Sequence, residues 1–262
     1  HACPKCQSLQ LHPVGAGTER AEERLQILFP KIPVVRIDRD STARKGSLDA
    51  MLNLVQRGEP CILLGTQMLA KGHHFPAVTL VAILNADGGL FSADFRASER
   101  MAQLVIQVAG RAGRAEQPGR VIIQSHVADH PLLIQLTEEG YFAFARQALD
   151  ERRVAQLPPY THMALLRAEA LNPQHADDFL RDAVSLAQQL QQHYEDSEVE
   201  LLGPVAAPME RRSGRYRAQL LFISAQRQPL HRLLHGLCFN LEQLTSARQA
   251  RWSLDVDPID LY

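Results

Sequence analysis

The segment that starts near Ala97 ends in QVAGRAGR, residues 107–114. Its apolar spacing predicts one continuous helix. On that helix four residues share one face at i, i+3, i+4 and i+7: Gln107, Gly110, Arg111 and Arg114. Arginine stays charged and offers a rigid fork of donors, which suits a phosphate group. The pattern predicts a phosphate-binding helix end, and the alternative is a solvated basic helix with incidental glycines.

Strands and helices alternate around this helix. The sequence predicts that GAGTERAEERLQILFP, residues 15–30, is a loop followed by a helix that Thr18 caps, and it predicts another helix over about 47–57. Short apolar runs predict strands at 34–37, 61–65, 78–84 and 120–125. This order is typical of an open parallel sheet with helices on its faces.

Polar residues follow two of these strands at their carboxyl ends, where open parallel sheets bind ligands. We expect their loops to converge with the arginine helix. The residues concerned are Gly65, Thr66, Gln67, Gly72 and Asp87.

Length and charge limit the classes of function. A chain of 262 residues accommodates two ordinary domains. The net charge of −1 excludes a chain-wide basic field, so nucleic-acid contacts must come from local clusters. We find no membrane-spanning run and no signal layout, and expect a reducing, cytoplasmic location. The chain begins with His1, and we expect it to be a piece of a longer protein.

The cysteines divide into one pair and two isolated residues. Cys3 and Cys6 form a CxxC, which can occupy two corners of a tetrahedral zinc site. Cys61 and Cys238 lie in apolar runs, and we expect buried thiols there. We interpret Cys3 and Cys6 as the last pair of a zinc ribbon. The alternative is an isolated CxxC with a redox role or none.

The second half begins after LPPY, residues 157–160, whose prolines predict a domain edge near Leu157. Beyond it the patterns predict an α+β domain of βαββαβ order, the ferredoxin-like arrangement. The predicted strands are 162–170, 199–202, 216–224 and 251–256, and the predicted helices are 174–193 and 229–245.

The segment ERRSGRYRAQ, predicted to be a loop between the middle strands, is rich in arginine. Clustered arginines beside an aromatic ring suit phosphate contact and base stacking on single strands. The alternative is a solvated hairpin. The candidate residues are Arg211, Arg212, Arg215, Tyr216 and Arg217.

Two of these motifs together carry a specific resemblance. GTQMLAKGHHFP (65–76), followed by QVAGRAGR, resembles the fifth and sixth motifs of superfamily-two helicases, in their second RecA-like lobe. With RIDRDSTARKG (36–46), FSADFRASER (91–100) and LDVDPI (254–259), nearly the whole chain resembles the PriA family (primosomal protein N′) of bacterial replication-restart helicases.

The resemblance implies an ATP-dependent 3′ to 5′ DNA helicase that remodels stalled forks and initiates primosome assembly. It implies arginine fingers at Arg111 and Arg114, with Gln107 beside them in the catalytic set. Coupling of ATP to single-stranded DNA would involve Gly65, Thr66, Gln67, Gly72, Gly110 and Asp87. The sequence has no GxxxxGK[ST] loop and no DExH-type segment, so we expect this chain alone to be inactive.

The resemblance also implies domains, cofactors and partners. The expected domains are the end of a zinc module (1–14), helicase lobe 2 (15–157) and a C-terminal DNA- or partner-binding domain (158–262). Cys3 and Cys6 would be the last two of eight zinc ligands for two zinc ions, and ATP and Mg²⁺ would bind mainly to the absent lobe.

The implied partners are forked and single-stranded DNA, the proteins PriB and DnaT, and the acidic tail of single-stranded-DNA-binding protein, which Arg227 suits. We expect a monomer at the replication fork, without membrane contact. A non-catalytic module that binds DNA and that tail is the alternative.

Overall fold

The structure is a computed structural model that describes residues 17–38, 55, 58–65, 78–92, 94–110, 119–193 and 198–261. The chain divides into two compact units. The first comprises His1–Leu90 and Arg100–His130, and the second Phe91–Glu99 and Pro131–Tyr262. Two helices before Leu157 are grouped with the second unit, and the domain edge near Leu157 stays a prediction.

Strands of the first unit pair in parallel, as expected for alternating strands and helices. The described helices are α1 (Thr18–Leu28), α2 (Asp87–Leu90) and α3 (Ala97–Ala109), and the first three residues of α3 are assigned to the second unit. The strands are β1 (Val34–Ile37), β2 (Ile62–Gly65), β3 (Leu80–Ile83) and β4 (Arg120–Ile123). The described strands form two separate pairs, β1–β2 and β3–β4, instead of the single sheet that we expected. Each of these four strands has only four residues, so each can form few backbone hydrogen bonds with a neighbouring strand.

Thr18 does not cap α1. Gly17 is the N-cap residue, and the Thr18 hydroxyl donates instead to Asp38 Oδ2 at 2.7 Å. Arg36 of β1 contacts carboxylates of Glu22 at 3.2 Å and Asp38 at 3.5 Å. Thr18 therefore connects α1 to the carboxyl end of β1 through this hydrogen bond. The residues around Thr18 in the sequence do not indicate this role.

Helix α3 begins at Ala97, as predicted. Asp94, which is buried, accepts the Arg96 backbone N–H at 2.9 Å at this start. Met101, Ala102 and Val105 form the buried face. The described helix ends at Ala109, and Arg111 and Arg114 lie outside the described residues.

The second unit contains a four-stranded antiparallel sheet in the order β6-β7-β5-β8. Two helices precede it, α4 (Pro131–Glu138) and α5 (Tyr141–Val154). Its strands are β5 (His162–Ala170), β6 (Glu200–Arg212), β7 (Arg215–Ser224) and β8 (Arg251–Val256), and its helices are α6 (Pro173–Gln192) and α7 (Arg227–Leu241). A 3-10 turn, Thr245–Arg248, precedes β8.

Strand β6 is the main departure from the predicted bounds, since it was expected to end at Leu202. Residues beyond Leu202 extend because they pair with β7, as in Ala206 opposite Ala218 and Arg212 opposite Arg215. Local sequence, with two prolines and charged residues, does not indicate this pairing.

One face of this sheet packs against α6 and α7 to form the core. Phe179 of α6, Phe222 of β7 and Leu237 of α7 are completely buried. The ring of Phe179 stacks on Trp252 of β8 with centroids 5.9 Å apart. Burial of each such side chain contributes about 1.5–3 kcal/mol, so this core fixes the strands that carry the arginines.

Neither isolated cysteine is a buried thiol. Cys61 is half-buried and Cys238 is exposed. Leu234, Leu237 and Leu241 form the buried side of α7, so Cys238 falls on its outer side. None of the helices in the described ranges is long and apolar enough to cross a bilayer.

Candidate functional site

The arginine segment is a β-hairpin in the structure, not the loop that we predicted. Strands β6 and β7 meet at Ser213 and Gly214, whose φ angles are 50° and 80°. Two successive positive φ angles make the tight turn that suits the twist of a hairpin. Ladder pairing thus continues to the tip and places the arginine side chains on rigid backbone.

Arg211 and Tyr216 are cross-strand partners near the tip. The guanidinium carbon of Arg211 lies 5.1 Å from the Tyr216 ring centroid, a cation–π contact. One side of the ring is thereby covered, so a base can use only the other side. Arg217 Nη1 donates to the Met209 carbonyl at 3.5 Å.

Within the described ranges, none of the four hairpin arginines (Arg211, Arg212, Arg215 and Arg217) forms an ion pair with a carboxylate. Arginines elsewhere differ: Arg152 contacts Glu99 at 2.7 Å and Arg181 contacts Asp177 at 2.6 Å. The four arginines outnumber the one carboxylate of this segment, Glu210, so the hairpin presents net positive charge, which attracts phosphates.

A bulge in β6 lies directly below the arginines. Ala206 pairs with Ala218 and Arg211 with Tyr216, so four residues of β6 stand opposite Arg217 alone. A groove separates this part of the hairpin from the first turn of α6. It is lined by Pro173, Gln174, Ala176, Asp177, Ala206, Glu210, Tyr216, Arg217 and Ala218.

Arg227 is the first residue of α7, apart from the hairpin tip. Its Nη2 lies 3.5 Å from Asp257 Oδ2, and both side chains are about half exposed or more, at 62% and 48%. The long, exposed contact leaves Arg227 accessible to another carboxylate.

Asp87 joins the loops that follow β3 and β4 in the first unit. Its carboxylate accepts hydrogen bonds from Ser125 Oγ at 2.6 Å and from the His126 backbone N–H at 3.1 Å. Nδ1 of His126 also lies 2.6 Å from it. The Ser125 bond, followed by those of His126, lowers the pKa of Asp87. We missed Ser125 and His126, although the polar end of RVIIQS at a strand's carboxyl end was a signal for them.

The described part of the predicted motor site is small. Gly65 ends β2, Gln107 is exposed in the last turn of α3, and Gly110 is exposed directly after that helix. Among the described residues, a Cβ at Gly110 would meet the helix carbonyls of Ile106 at 3.4 Å and Gln107 at 3.9 Å. Thr66, Gln67, Gly72, Arg111 and Arg114, like the zinc candidates Cys3 and Cys6, lie outside the described residues. Among the described residues, no three His, Cys, Asp or Glu side chains form a metal-binding group.

Two family models match the chain, one for each half. The helicase conserved C-terminal domain matches residues 14–116, and the primosomal protein N C-terminal domain matches residues 153–259. The second match includes the arginine hairpin and Arg227.

Relatives from several bacteria match along nearly the whole chain. The replication restart protein PriA of Haemophilus influenzae is 48% identical over 99% of this chain and 35% of its own length. The PriA proteins of Bacillus subtilis and Rickettsia typhi are 38% and 32% identical over 98% and 100% of this chain, and over 32% and 39% of their own lengths. The chain thus spans about a third of the length of the curated relatives that it matches. Among solved structures, a de novo designed protein, Foldit4, matches 37% of this chain and 97% of its own, with 9% identity and a TM-score of 0.27.

Proposed function

Because the chain belongs to the PriA family of replication restart proteins, we propose that it supplies the second motor lobe and the C-terminal DNA-binding domain of an ATP-dependent 3′ to 5′ DNA helicase. The intact protein recognises stalled forks, remodels them and initiates primosome assembly. The observation that carries the DNA-binding part is the arginine hairpin. Its four cations have no carboxylate partner in the described ranges and lie within the matched primosomal domain.

We propose that the motor half acts on ATP that another lobe of the intact protein holds with Mg²⁺. Arg111 and Arg114 follow the end of α3 and stabilise charge on the transferring phosphoryl group, with Gln107 beside them. Gly65, Thr66, Gln67, Gly72 and Gly110 couple that site to single-stranded DNA. Asp87 has a positioning role there, since its carboxylate is already bonded to Ser125 and His126.

We infer that the C-terminal domain is ferredoxin-like. Support comes from its βαββαβ order and from the strand order β6-β7-β5-β8 with antiparallel neighbours. The fold by itself names no ligand, so the DNA-binding proposal depends on the hairpin.

We propose Arg227 as a contact for the acidic C-terminal tail of single-stranded-DNA-binding protein. The support is an exposed guanidinium whose described carboxylate contact, with Asp257, is long. PriB and DnaT are further proposed partners in primosome assembly. The zinc proposal for Cys3 and Cys6 depends on their CxxC spacing.

Binding of this chain to fluorescent single-stranded and forked DNA, measured at a series of salt concentrations, tests the proposal. We expect the logarithm of affinity to fall linearly with the logarithm of salt concentration, because phosphate contacts release counterions. Absence of binding at low salt would overturn the DNA-binding assignment. An ATPase assay of the same chain is expected to show no turnover.

A further inference from the structure

The groove between the hairpin and the first turn of α6 is a second feature of the arginine surface. Glu210, Tyr216 and Arg217 line the hairpin side, and Gln174 and Asp177 line the α6 side. It encloses about 250 Å³. This is smaller than the roughly 300–1,000 Å³ of sites for drug-sized ligands, and suits a single ring.

The charges inside the groove differ from those at the hairpin tip. Asp177 is held by Arg181 at 2.6 Å, whereas Glu210 has no ion pair within the described ranges. A carboxylate that is not held in an ion pair can accept hydrogen bonds from N–H donors of a ligand. The groove therefore offers a carboxylate acceptor, Glu210, beside a guanidinium donor, Arg217, whereas the hairpin tip offers guanidinium groups alone.

The hairpin side of the groove and the arginine-bearing tip of the hairpin are formed by residues that are adjacent in the sequence. Arg211, which follows Glu210 directly, lies over the Tyr216 ring, and Tyr216 lines the groove. Arg212 and Arg215 are paired at the tip, just beyond. A ligand with a negatively charged backbone and a ring bearing N–H groups matches this arrangement. A basic peptide does not, because the arginines repel it.

We propose that this groove is a base-binding subsite for a nucleobase with an exocyclic amino group, which donates a hydrogen bond to Glu210. The adjacent phosphates then contact the hairpin arginines. Carboxylates accept from the N4 amino group of cytosine, which thymine lacks. The inference deepens the DNA-binding function proposed above and depends on it.

Oligodeoxycytidine and oligothymidine of equal length provide the test, because they share phosphate number and ring size. We expect this chain to bind the cytidine oligomer about tenfold more tightly at neutral pH, the ratio for one hydrogen bond to a charged acceptor. Glu210→Ala is expected to bring the ratio close to one. Glu210→Gln, which keeps an acceptor oxygen, is expected to retain part of it.

Glu200→Ala is the matched control, since Glu200 is an exposed glutamate at the other end of β6. It makes the same change in net charge and should leave the ratio intact. The subsite proposal is wrong if the unchanged chain binds both oligomers equally, or if Glu210→Ala leaves the ratio of the two affinities unchanged. Either result leaves the DNA-binding proposal in place. Binding of neither oligomer at low salt overturns both proposals. If a lysine-rich peptide binds in a Glu210-dependent way and the two oligomers bind equally, the groove is a protein-binding site and the nucleobase proposal is wrong.

Discussion

Arg211 and Tyr216 face each other across the tip of the β6–β7 hairpin, with the guanidinium carbon 5.1 Å from the ring centroid. The ring restricts the side chain of Arg211, so less rotamer freedom is lost when a phosphate binds. The paired backbone fixes the positions from which the neighbouring arginine side chains extend. The hairpin is thus preorganised for an anionic ligand, and preorganisation lowers the cost of binding.

Replacing Arg212 and Arg215 together by alanine should weaken DNA binding for all sequences. If each contacts one phosphate of a single strand, the slope of log affinity against log salt falls in magnitude by about 1.4. Fluorescence anisotropy over a salt series measures this slope. The control is Arg24→Ala with Arg146→Ala, two exposed arginines that do not belong to the hairpin. An equal change in both double variants would show that net charge alone sets the slope.

Arg227→Ala should weaken binding of the acidic tail peptide of single-stranded-DNA-binding protein by about tenfold, the value for a hydrogen bond between charged groups. Asp257→Asn should raise that affinity by up to about fivefold, because it removes an exposed competitor for Arg227. Isothermal titration of the peptide into each variant measures both effects. Arg146→Ala serves as the control, and a matching loss there would refute the assignment.

Replacing Asp87 by Asn should lower the melting temperature at pH 7. The pKa of Asp87 lies below its ordinary value of 3.8, so its charged form contributes stability above pH 3.8 that is lost as the pH falls through the lower folded value. The difference between the original chain and the variant should therefore shrink at acidic pH. Thermal unfolding from pH 7 to pH 3 measures it.

Asp129→Asn is the control for Asp87, because Asp129 is an exposed aspartate near the same loop. It should change the melting temperature little at any pH. A difference between Asp87→Asn and the original chain that stays constant down to pH 3 would contradict the stabilising role of the carboxylate.

Gly203→Ala should lower the free energy of unfolding of the second unit by more than the roughly 1–3 kcal/mol that backbone strain alone costs. Gly203 has a φ of 120°, and an added Cβ would lie 2.9 Å from the Gln219 carbonyl oxygen. Gly214→Ala should cost less, because Gly214 has a φ of 80° and no atom of the described residues lies within 4 Å of the added Cβ. Urea unfolding followed by fluorescence of Trp252 compares them. Equal losses would show that backbone strain, and not the contact with Gln219, sets the cost.

In the intact protein, replacing Arg111 by alanine should reduce ATP turnover by about 10³- to 10⁵-fold, the contribution of an arginine finger. DNA affinity should remain nearly unchanged. Steady-state ATPase and DNA-binding assays measure the two. Arg24→Ala, an exposed arginine of α1, should change neither. Parallel loss of ATP turnover and DNA affinity after Arg111→Ala would argue against a finger.

Much of the second unit's fold was predictable from the sequence. The bounds of β5 and β8 match the predicted 162–170 and 251–256, because apolar runs end there at turn residues. Strand β6 was predicted too short, since its distal half contains Pro204 and Pro208 and extends only by pairing with β7.

The sequence predicted which arginines form the candidate site, but it did not predict the shape of the site. Clustering of Arg211 to Arg217 is visible in the sequence, whereas the groove requires a bulge and a helix that lies far away along the chain. Thr18 illustrates the same limit: a cap was expected from its neighbours, but its partner is Asp38, twenty residues away.

The irregular register of β6 also limits how this domain can associate. β6 is an edge strand of thirteen residues, and its exposed apolar residues Val205 and Met209 would invite another chain to extend the sheet. Two prolines lack the N–H needed for an added ladder, and the bulge bends the strand away from a flat edge. Accidental strand addition is therefore blocked. Whatever binds at this edge must recognise side chains and not backbone.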